Sequence, residues 1–393
     1  MTPETLAARL RRGDPTTVLD VRNRDEFEEW HIDGPSVDAT QLPAIQFTQA
    51  EIRGTVAELA DRFRDASEPV VVVCAEGRAS DHVAALLEEE GVAAENLETG
   101  MDGWARVYQS VELDCDDATV VQYQRPSSGC LAYLVVEGDE AVVIDPLRAF
   151  ADRYVADARS RGADLVAALD THVHADHVSG IHRLAERVNA VATLPVGAVE
   201  RGLESNARLL EDGETLTVGE CDISAVASPG HTSEMTAYRV GDLLFVGDSL
   251  FLDSVARPDL EDGDDGAPAL ARQLHQTLTE RYASFPDDVR IAPGHYSGRT
   301  LPTETGAYVA TLGTLRERLS ALSMDEAEFL AFVLDEMPPR PANYEQIIDV
   351  NLGREPLSDD EAFAVELGPN NCAVAGTETE FESGAGDAAA HGS

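Results

Sequence analysis

Four potential metal ligands stand within six residues of one another, directly after an apolar run. The run at residues 165–169 predicts a buried strand, and the sequence Thr-His-Val-His-Ala-Asp-His follows it. Residues two apart point the same way at the end of a strand, so His172 and His174 can converge on one point. Asp176 and His177 then fall at the start of a predicted helix. Imidazole and carboxylate groups in this pattern predict a metal site, which requires a fold that gathers loops together.

Further ligand types follow later in the chain, each just past an apolar run. His231 stands in Pro-Gly-His-Thr, Asp248 follows the run at residues 243–246, and His295 stands in a second Pro-Gly-His. Loops after strands carry functional groups on a rigid scaffold, and here they can present side chains to a common centre. Five of the ten histidines occupy these positions, which argues against a purely structural role for the whole set.

This ordered set resembles the metallo-β-lactamase superfamily, whose αββα sandwich holds one or two metals at the sheet edge. The resemblance runs from about residue 120 to residue 353. The local motifs S-G-C-L-A-Y-L from residue 128, I-D-P from 144, G-D-S-L from 247 and R-P-D-L from 257 resemble the persulfide dioxygenase branch, a sister group of glyoxalase II.

The resemblance implies one Fe(II) per chain, bound by His174, His231 and Asp248. Two imidazoles and one carboxylate form a facial triad, which leaves coordination positions open for substrate and O₂. Four further residues have side chains that can bind a metal: His172, Asp176, His177 and His295. They would either orient the three iron ligands and hold bound water, or bind a second metal ion. The alternative is therefore a glyoxalase II-like thioester hydrolase with two zinc ions or mixed metals. Arg257 is a candidate for binding a substrate carboxylate, or forms an ion pair with Asp259.

A second chemical signal is a cysteine at the end of an apolar run. Residues 70–73 predict a strand, Cys74 follows, and a Gly-containing loop leads into a helix predicted at residues 80–90. Backbone N–H groups and the helix dipole can surround the sulfur there, which lowers a thiol pKa and stabilises a persulfide. The predicted persulfide loop contains Gly77, Arg78 and Ser80. An inert, buried cysteine is the alternative.

The motifs around this loop resemble a single rhodanese domain. They are L-D-V-R from residue 19, H-I-D-G from 31 and G-M-D-G-W from 100. The predicted fold is an α/β rhodanese domain, with a parallel sheet and flanking helices, at residues 1–112. An acidic linker at 113–119 leads to the αββα sandwich at 120–355, with long helices predicted across 303–336. A carboxyl-terminal extension at 356–376 and a disordered acidic tail at 377–393 complete the chain.

Composition narrows the classes of partner. The chain has 393 residues, 29 Lys+Arg against 73 Asp+Glu, and a formal net charge of −44. All the basic residues are Arg, and this acidic, lysine-free composition resembles that of proteins from halophilic organisms. Such a surface repels polyanions, so we expect no nucleic-acid partner. No apolar stretch approaches the roughly 20 residues that span a bilayer, so we expect no membrane partner. Five cysteines without a C-x-x-C pair favour a reducing cytoplasm.

The two resemblances share one substrate group, the sulfane sulfur. They imply an enzyme that oxidises a low-molecular-weight thiol persulfide with O₂ to sulfite and free thiol. Cys74 would transfer sulfane sulfur, with sulfite or thiosulfate as a further small-molecule partner. The amino-terminal domain could instead be a sulfur-binding module without catalysis. The sequence does not determine the direction of sulfur transfer or the identity of the carrier thiol. Nor does it determine whether the protein forms homo-oligomers.

Overall fold

The computed structural model describes residues 1–335, 337–369 and 371–374. The tail predicted at residues 377–393 lies outside the described residues. Within those described ranges, no helix combines the length and apolar character required to cross a bilayer.

The amino-terminal domain is built on a four-stranded parallel sheet in the order β2-β1-β3-β4. Its strands are β1 Thr16–Asp20, β2 Val37–Gln41, β3 Val70–Val73 and β4 Ala94–Asn96. Its helices are α1 Pro3–Arg11, α2 Arg24–Glu29, α3 Ala44–Arg53, α4 Val56–Ala60, α5 Arg78–Glu89 and α6 Gly100–Trp104. Separate apolar clusters form on the two faces, so β3 is buried throughout, as its uninterrupted valines predict.

The second domain contains two sheets. The first has the order β11-β10-β9-β8-β7-β6-β5, and the second runs from β12 to β17 in sequence order. The strands of the first sheet are β5 Gln109–Leu113, β6 Thr119–Gln124, β7 Leu131–Glu137, β8 Glu140–Ile144, β9 Asp164–Leu169, β10 Val191–Pro195 and β11 Arg208–Leu210. Those of the second are β12 Thr215–Val218, β13 Cys221–Ala227, β14 Thr236–Val240, β15 Leu243–Gly247, β16 Arg290–Pro293 and β17 Ala310–Thr311.

Helices cover the outer faces of both sheets. They are α7 Ala151–Ser160, α8 Ile181–Val188, α9 Gly263–Gln276, α10 Leu312–Arg318, α11 Glu326–Leu334, α12 Tyr344–Asn351 and α13 Asp359–Val365. One apolar cluster fills the space between the sheets, and two others lie beneath the helices on either side. This is a four-layer αββα sandwich, so both parts of the predicted fold class are confirmed.

The connections within the second domain partly differ from the sequence expectations. A hairpin with its turn at Gly138 and Asp139 joins β7 and β8. The helices expected across residues 303–336 are confined to α10 and α11, because residues 310–311 instead add an edge strand to the second sheet. Strand β5 spans the predicted domain boundary at residue 112 and pairs antiparallel with β6, and the boundary itself stays a prediction. Acidic residues concealed this strand, which alternates half-buried and exposed positions.

A buried ion pair connects the two domains to the carboxyl-terminal region. Nη1 of Arg125 lies 2.8 Å from Oε1 of Glu366, and both side chains are 1% exposed. Arg125 also donates to the carbonyl oxygen of Ala105 in the first domain. Glu366 accepts a hydrogen bond from the backbone N–H of Val178, beside the histidine-rich loop. The hydrogen bonds made by this ion pair therefore connect the carboxyl-terminal region to both domains.

We expect Glu366→Gln to destabilise the fold by about 3–5 kcal/mol, because it leaves the Arg125 guanidinium buried without a counter-charge. The shift in denaturation midpoint measures this loss. Asp359→Asn is the matched control, because the Asp359 side chain is 54% exposed and its pair with Arg148 belongs to the surface class that contributes about 0–1 kcal/mol. Equal losses in the two variants would contradict the assignment of the buried pair as the interdomain connection.

Candidate functional site

The candidate metal ligands lie in loops at one edge of the sandwich. His172 and His174 follow β9, His231 follows β13, Asp248 follows β15 and His295 follows β16. Gly294 is required at this edge, because a Cβ atom there would lie 2.5 Å from Oδ1 of Asp248. The loops that carry these side chains therefore lie next to one another at this edge.

Three of these residues converge on a single point. The ligand atoms of His172, His231 and Asp248 lie within 4.8 Å of one another. Nε2 of His172 is 3.9 Å, and Nε2 of His231 is 3.8 Å, from Oδ2 of Asp248. All three atoms are buried and have no hydrogen-bond partner among the described residues. Buried polar atoms are normally satisfied, so three unsatisfied atoms facing one another fit a metal ion.

A hydrogen bond from the second ring nitrogen fixes the orientation of each histidine in this triad. Nδ1 of His172 donates to Oγ1 of Thr171 at 2.9 Å, and Nδ1 of His231 donates to the carbonyl of Arg257 at 2.8 Å. Metal-binding histidines commonly donate their second N–H in this way, which directs the other nitrogen to the metal. Burial lowers the pKa of His172 well below its ordinary value and also lowers that of His231. Both imidazoles are therefore held neutral, the form that binds metals.

His174 lies beside the triad in a second candidate group, and its predicted role as a metal ligand stays a prediction. Its Nε2 donates to Oδ1 of Asp145 at 3.2 Å, and the candidate group around it consists of Asp145, Asp170 and His174. The rings of His172 and His174 nevertheless lie side by side, with centroids 4.2 Å apart. Nδ1 of His174 is buried without a hydrogen-bond partner among the described residues and lies 4.0 Å from Oδ1 of Asp176. Burial raises the pKa of Asp170 to about 7.

His295 and Asp176 form a hydrogen-bonded array beside the triad. Nδ1 of His295 donates to Oδ1 of Asp248 at 2.6 Å, and its Nε2 donates to Oδ2 of Asp176 at 2.8 Å. That same Asp176 oxygen accepts from Nδ1 of His177 at 3.1 Å. Burial opposes protonation, yet the carboxylates of Asp248 and Asp176 hold the pKa of His295 well above its ordinary value. Nε2 of His177 and Oδ1 of Asp176 have no hydrogen-bond partner among the described residues.

Two cysteines approach this array, which the sequence did not assign to the site. Sγ of Cys130 lies 3.3 Å from Oδ2 of Asp176. Cys372 groups with Asp176, Asp248 and His295 within 4.8 Å. It comes from the carboxyl-terminal segment, where Ala373 bridges to Ala256. Sequence spacing carried no signal for Cys372, because almost 80 residues separate it from His295.

Arg257 forms the ion pair that sequence left as its second interpretation. Its side chain is 1% exposed and its Nε lies 2.7 Å from Oδ1 of Asp259. Nη2 donates to the second Asp259 oxygen, and Nη1 donates to the carbonyls of Pro339 and Asn371. The guanidinium is thus fully engaged inside the protein, which disfavours the predicted binding of a substrate carboxylate.

Hydrogen bonds surround the Cys74 sulfur at the carboxyl end of β3. The N–H of Gly77 and the hydroxyl of Ser80 each donate to Sγ at 3.1 Å. Gly77 has φ of +85°, and a Cβ atom there would lie 2.8 Å from the backbone nitrogen of Thr99. Burial by itself raises the thiol pKa, but hydrogen bonds from Ser80, Glu76 and Ala79 outweigh it, so the pKa of Cys74 is lowered. This environment stabilises a thiolate or a persulfide anion.

Arg78 does not approach the sulfur. Its side chain is 85% exposed and pairs with Glu76 in solvent. Of the predicted persulfide loop, the structure therefore brings Gly77 and Ser80 to Cys74 and directs Arg78 away. The reason is local, because Arg78 begins α5 and its side chain lies on the outer face of that first turn.

Known proteins resemble both parts of the chain. Residues 2–107 match the rhodanese-like domain family, and residues 126–295 match the metallo-beta-lactamase superfamily. The mitochondrial persulfide dioxygenase ETHE1 of Homo sapiens is 30% identical over 237 residues, covering 59% of this chain and 86% of that relative. The chain belongs to the metallo-beta-lactamase superfamily.

Two further members of this superfamily show the range of its relatives. A hydroxyacylglutathione hydrolase of Pectobacterium carotovorum is 31% identical over 192 residues, covering 46% of this chain and 70% of the relative. The crystal structure of ETHE1 from Myxococcus xanthus has a TM-score of 0.52 and 25% identity, and covers 63% of this chain and 100% of that chain. The protein is thus a rhodanese-like domain fused to a metallo-beta-lactamase-superfamily enzyme domain.

Proposed function

We propose that the protein oxidises a low-molecular-weight thiol persulfide with O₂ at a single non-haem iron, and that Cys74 transfers sulfane sulfur. The observation that carries the proposal is the set of three unsatisfied, buried ligand atoms on His172, His231 and Asp248. Two neutral imidazoles and one carboxylate form the donor set of mononuclear iron oxygenases. Similarity to persulfide dioxygenases supports the substrate.

In this proposal, His172 takes the ligand position that sequence resemblance gave to His174. A bound ferrous ion would supply open coordination positions at which a sulfur ligand and O₂ can be neighbours. Thr171 and the Arg257 carbonyl fix the two imidazoles, and His295 fixes the carboxylate of Asp248. The protein's contribution is thus a rigid donor set that costs little reorganisation when the reactants arrive.

The overall reaction balances as persulfide, O₂ and water giving thiol and sulfite. The S–S bond breaks, the terminal sulfur loses four electrons, and O₂ gains those four. Two sulfite oxygens derive from O₂ and the third derives from water. The departing thiol takes up one proton, and the His295–Asp176 array provides proton-carrying groups next to the triad.

The cysteine loop performs a separate step in this proposal. The Cys74 thiolate attacks the sulfane sulfur of a donor, an enzyme persulfide forms, and the donor leaves with the electron pair of its broken S–S bond. A second nucleophile, either a carrier thiol or sulfite, then takes the sulfur and restores the thiolate. Hydrogen bonds from Gly77 and Ser80 stabilise the negative sulfur in both states.

A two-metal thioester hydrolase is the second candidate. It is favoured by the unpartnered Nε2 of His177 and Oδ1 of Asp176, and by the similarity to a hydroxyacylglutathione hydrolase. Against it, one oxygen of Asp176 already accepts hydrogen bonds from both His177 and His295. Both nitrogens of His295 are also engaged with carboxylates, so a second metal would have to break this array.

Metal content and O₂ uptake test the proposal together. The full chain is purified without metal, loaded anaerobically with ferrous iron or with zinc, and analysed for metal stoichiometry. We expect one iron per chain and O₂ uptake with equimolar sulfite when a small-thiol persulfide is added. Two metals per chain, no O₂ uptake and hydrolysis of a thioester would overturn the dioxygenase and establish the hydrolase.

A further inference from the structure

A cleft of about 640 Å³ lies between the two domains and reaches the metal centre. Its size lies within the range of small-molecule sites, which often occur at domain interfaces. The amino-terminal domain contributes one wall, which includes Trp30, His31, Asp33 and Trp104. The second domain contributes the other, which includes Gly129, Phe251, His295 and Tyr296.

Hydrogen bonds fix both walls of this cleft. Nε1 of Trp30 donates to the carbonyl of Ser127 at 2.9 Å, across the domain interface. The N–H of Tyr296 donates to the carbonyl of Gly129 at 3.0 Å, which joins the two segments of the second wall. His295, which lines the cleft, lies 2.6 Å from Asp248 of the triad. A molecule in the cleft would therefore have its end next to the metal ligands.

The charge of the lining is strongly one-sided. The cleft residues include the carboxylates Glu28, Glu29, Asp33 and Asp253 but one guanidinium, that of Arg11. Glu28, Glu29 and Asp33 are exposed where a ligand enters from solvent. Glu28 pairs with Arg24 at 2.6 Å, so Glu29 and Asp33 contribute most of the negative charge that such a ligand meets. Cys74 is not one of the described residues that line the cleft. The amino-terminal domain thus shapes the approach to the metal centre with residues other than its own reactive cysteine.

We propose that this interdomain cleft binds the thiol portion of the persulfide and selects small aminothiol persulfides over those with several carboxylates. This inference rests on the proposed dioxygenase function and names its substrate class. The ammonium group would lie towards the acidic rim formed by Glu28, Glu29 and Asp33. The persulfide end would point to His295 and the triad behind it. A tripeptide persulfide with two carboxylates would be repelled by the same rim.

Tryptophan fluorescence provides a direct binding readout, because both tryptophans of the chain line the cleft. Two thiols are titrated into the iron-loaded protein without O₂. Cysteamine has one ammonium and no carboxylate, whereas glutathione has one ammonium and two carboxylates and is therefore negatively charged overall. We expect cysteamine to change the fluorescence at a lower concentration than glutathione. The difference should shrink as salt is raised, because exposed charges are screened over a few ångströms at about 1 M salt.

The paired variants are Asp33→Asn, in the rim, and Asp38→Asn, an exposed residue outside the lining. With cysteamine persulfide, we expect Asp33→Asn to raise KM about fivefold with kcat unchanged, because fivefold corresponds to about 1 kcal/mol, the upper end of what an exposed charge pair contributes. Asp38→Asn should match the parent protein. Equal KM values in both variants, or preferred binding of glutathione, would overturn the cleft proposal. Absence of O₂ uptake with every persulfide would instead overturn the dioxygenase, and the fluorescence titration would still test the cleft.

Discussion

Replacing His172 with alanine is expected to abolish iron binding and to lower O₂ uptake by more than about 100-fold. Loss of an outer hydrogen-bond partner of a metal ligand already costs about 10–100-fold in affinity or activity, and removal of a ligand costs more. The physical reason is that His172 supplies one of three converging, unsatisfied donor atoms. Iron per chain, measured after loading and desalting, is the primary readout, and O₂ uptake is the second.

His174→Ala is the discriminating partner of this variant. We expect it to retain close to one iron per chain, because Nε2 of His174 donates to Asp145 and its unpartnered Nδ1 lies 4.0 Å from Asp176, outside the group formed by the three triad residues. His182→Ala, a change on α8 outside the candidate metal groups, controls for general loss of a histidine. Loss of iron in His174→Ala with retention in His172→Ala would restore the ligand set suggested by sequence resemblance and contradict the geometry.

Replacing Cys74 with serine is expected to eliminate sulfur transfer completely, because a hydroxyl group cannot form a persulfide. Single-turnover incubation with thiosulfate labelled at its sulfane sulfur, followed by mass spectrometry, measures persulfide at Cys74. Cys221→Ser is the matched control, because Cys221 is also buried and its surroundings raise its thiol pKa to about 11. Unchanged O₂ uptake in Cys74→Ser would show that the two chemistries are separable. Labelling that persists in Cys74→Ser would contradict the assignment.

The pH dependence of Cys74 alkylation tests the cause of its reactivity. The lowered pKa places its thiolate at a lower pH than that of a free cysteine, which ionises near pH 8.5. The alkylation rate by iodoacetamide should therefore reach its midpoint below that value. Ser80→Ala removes a hydrogen bond to the sulfur and should move the midpoint upward. An unchanged midpoint in Ser80→Ala would show that this hydroxyl does not stabilise the thiolate.

Sequence predicted the elements whose signals are local. The strand-Cys-loop-helix unit around Cys74 forms with Gly77 and Ser80 at the sulfur, because one turn of backbone contains all the necessary contacts. The set of loops at the metal edge was also predictable, because each ligand follows an apolar run. The choice between His172 and His174 was not, since it depends on the contact of His174 with Asp145, which follows β8.

Long-range contacts account for the remaining differences. Cys372 reaches the metal centre through a bridge between Ala256 and Ala373, and no local pattern in the sequence encodes that contact. Arg257 presented two equal interpretations from sequence, and three backbone and side-chain partners from separate segments decide between them. Strand β5 was concealed because its exposed positions are occupied by the polar residues Ser110 and Glu112, and because further acidic residues follow it directly in the sequence.

The course of the chain between the domains restricts how sulfur can travel. Helix α6 ends at Trp104 and β5 begins at Gln109, where it is immediately hydrogen-bonded into the second domain's sheet. A swinging-arm mechanism, in which a tethered domain delivers its cargo by rotation, needs a slack connection that this arrangement does not provide. Under the proposed function, we therefore expect any sulfur exchanged between Cys74 and the candidate metal site to travel on a diffusible molecule, since Cys74 is not among the described residues that line the cleft at that site.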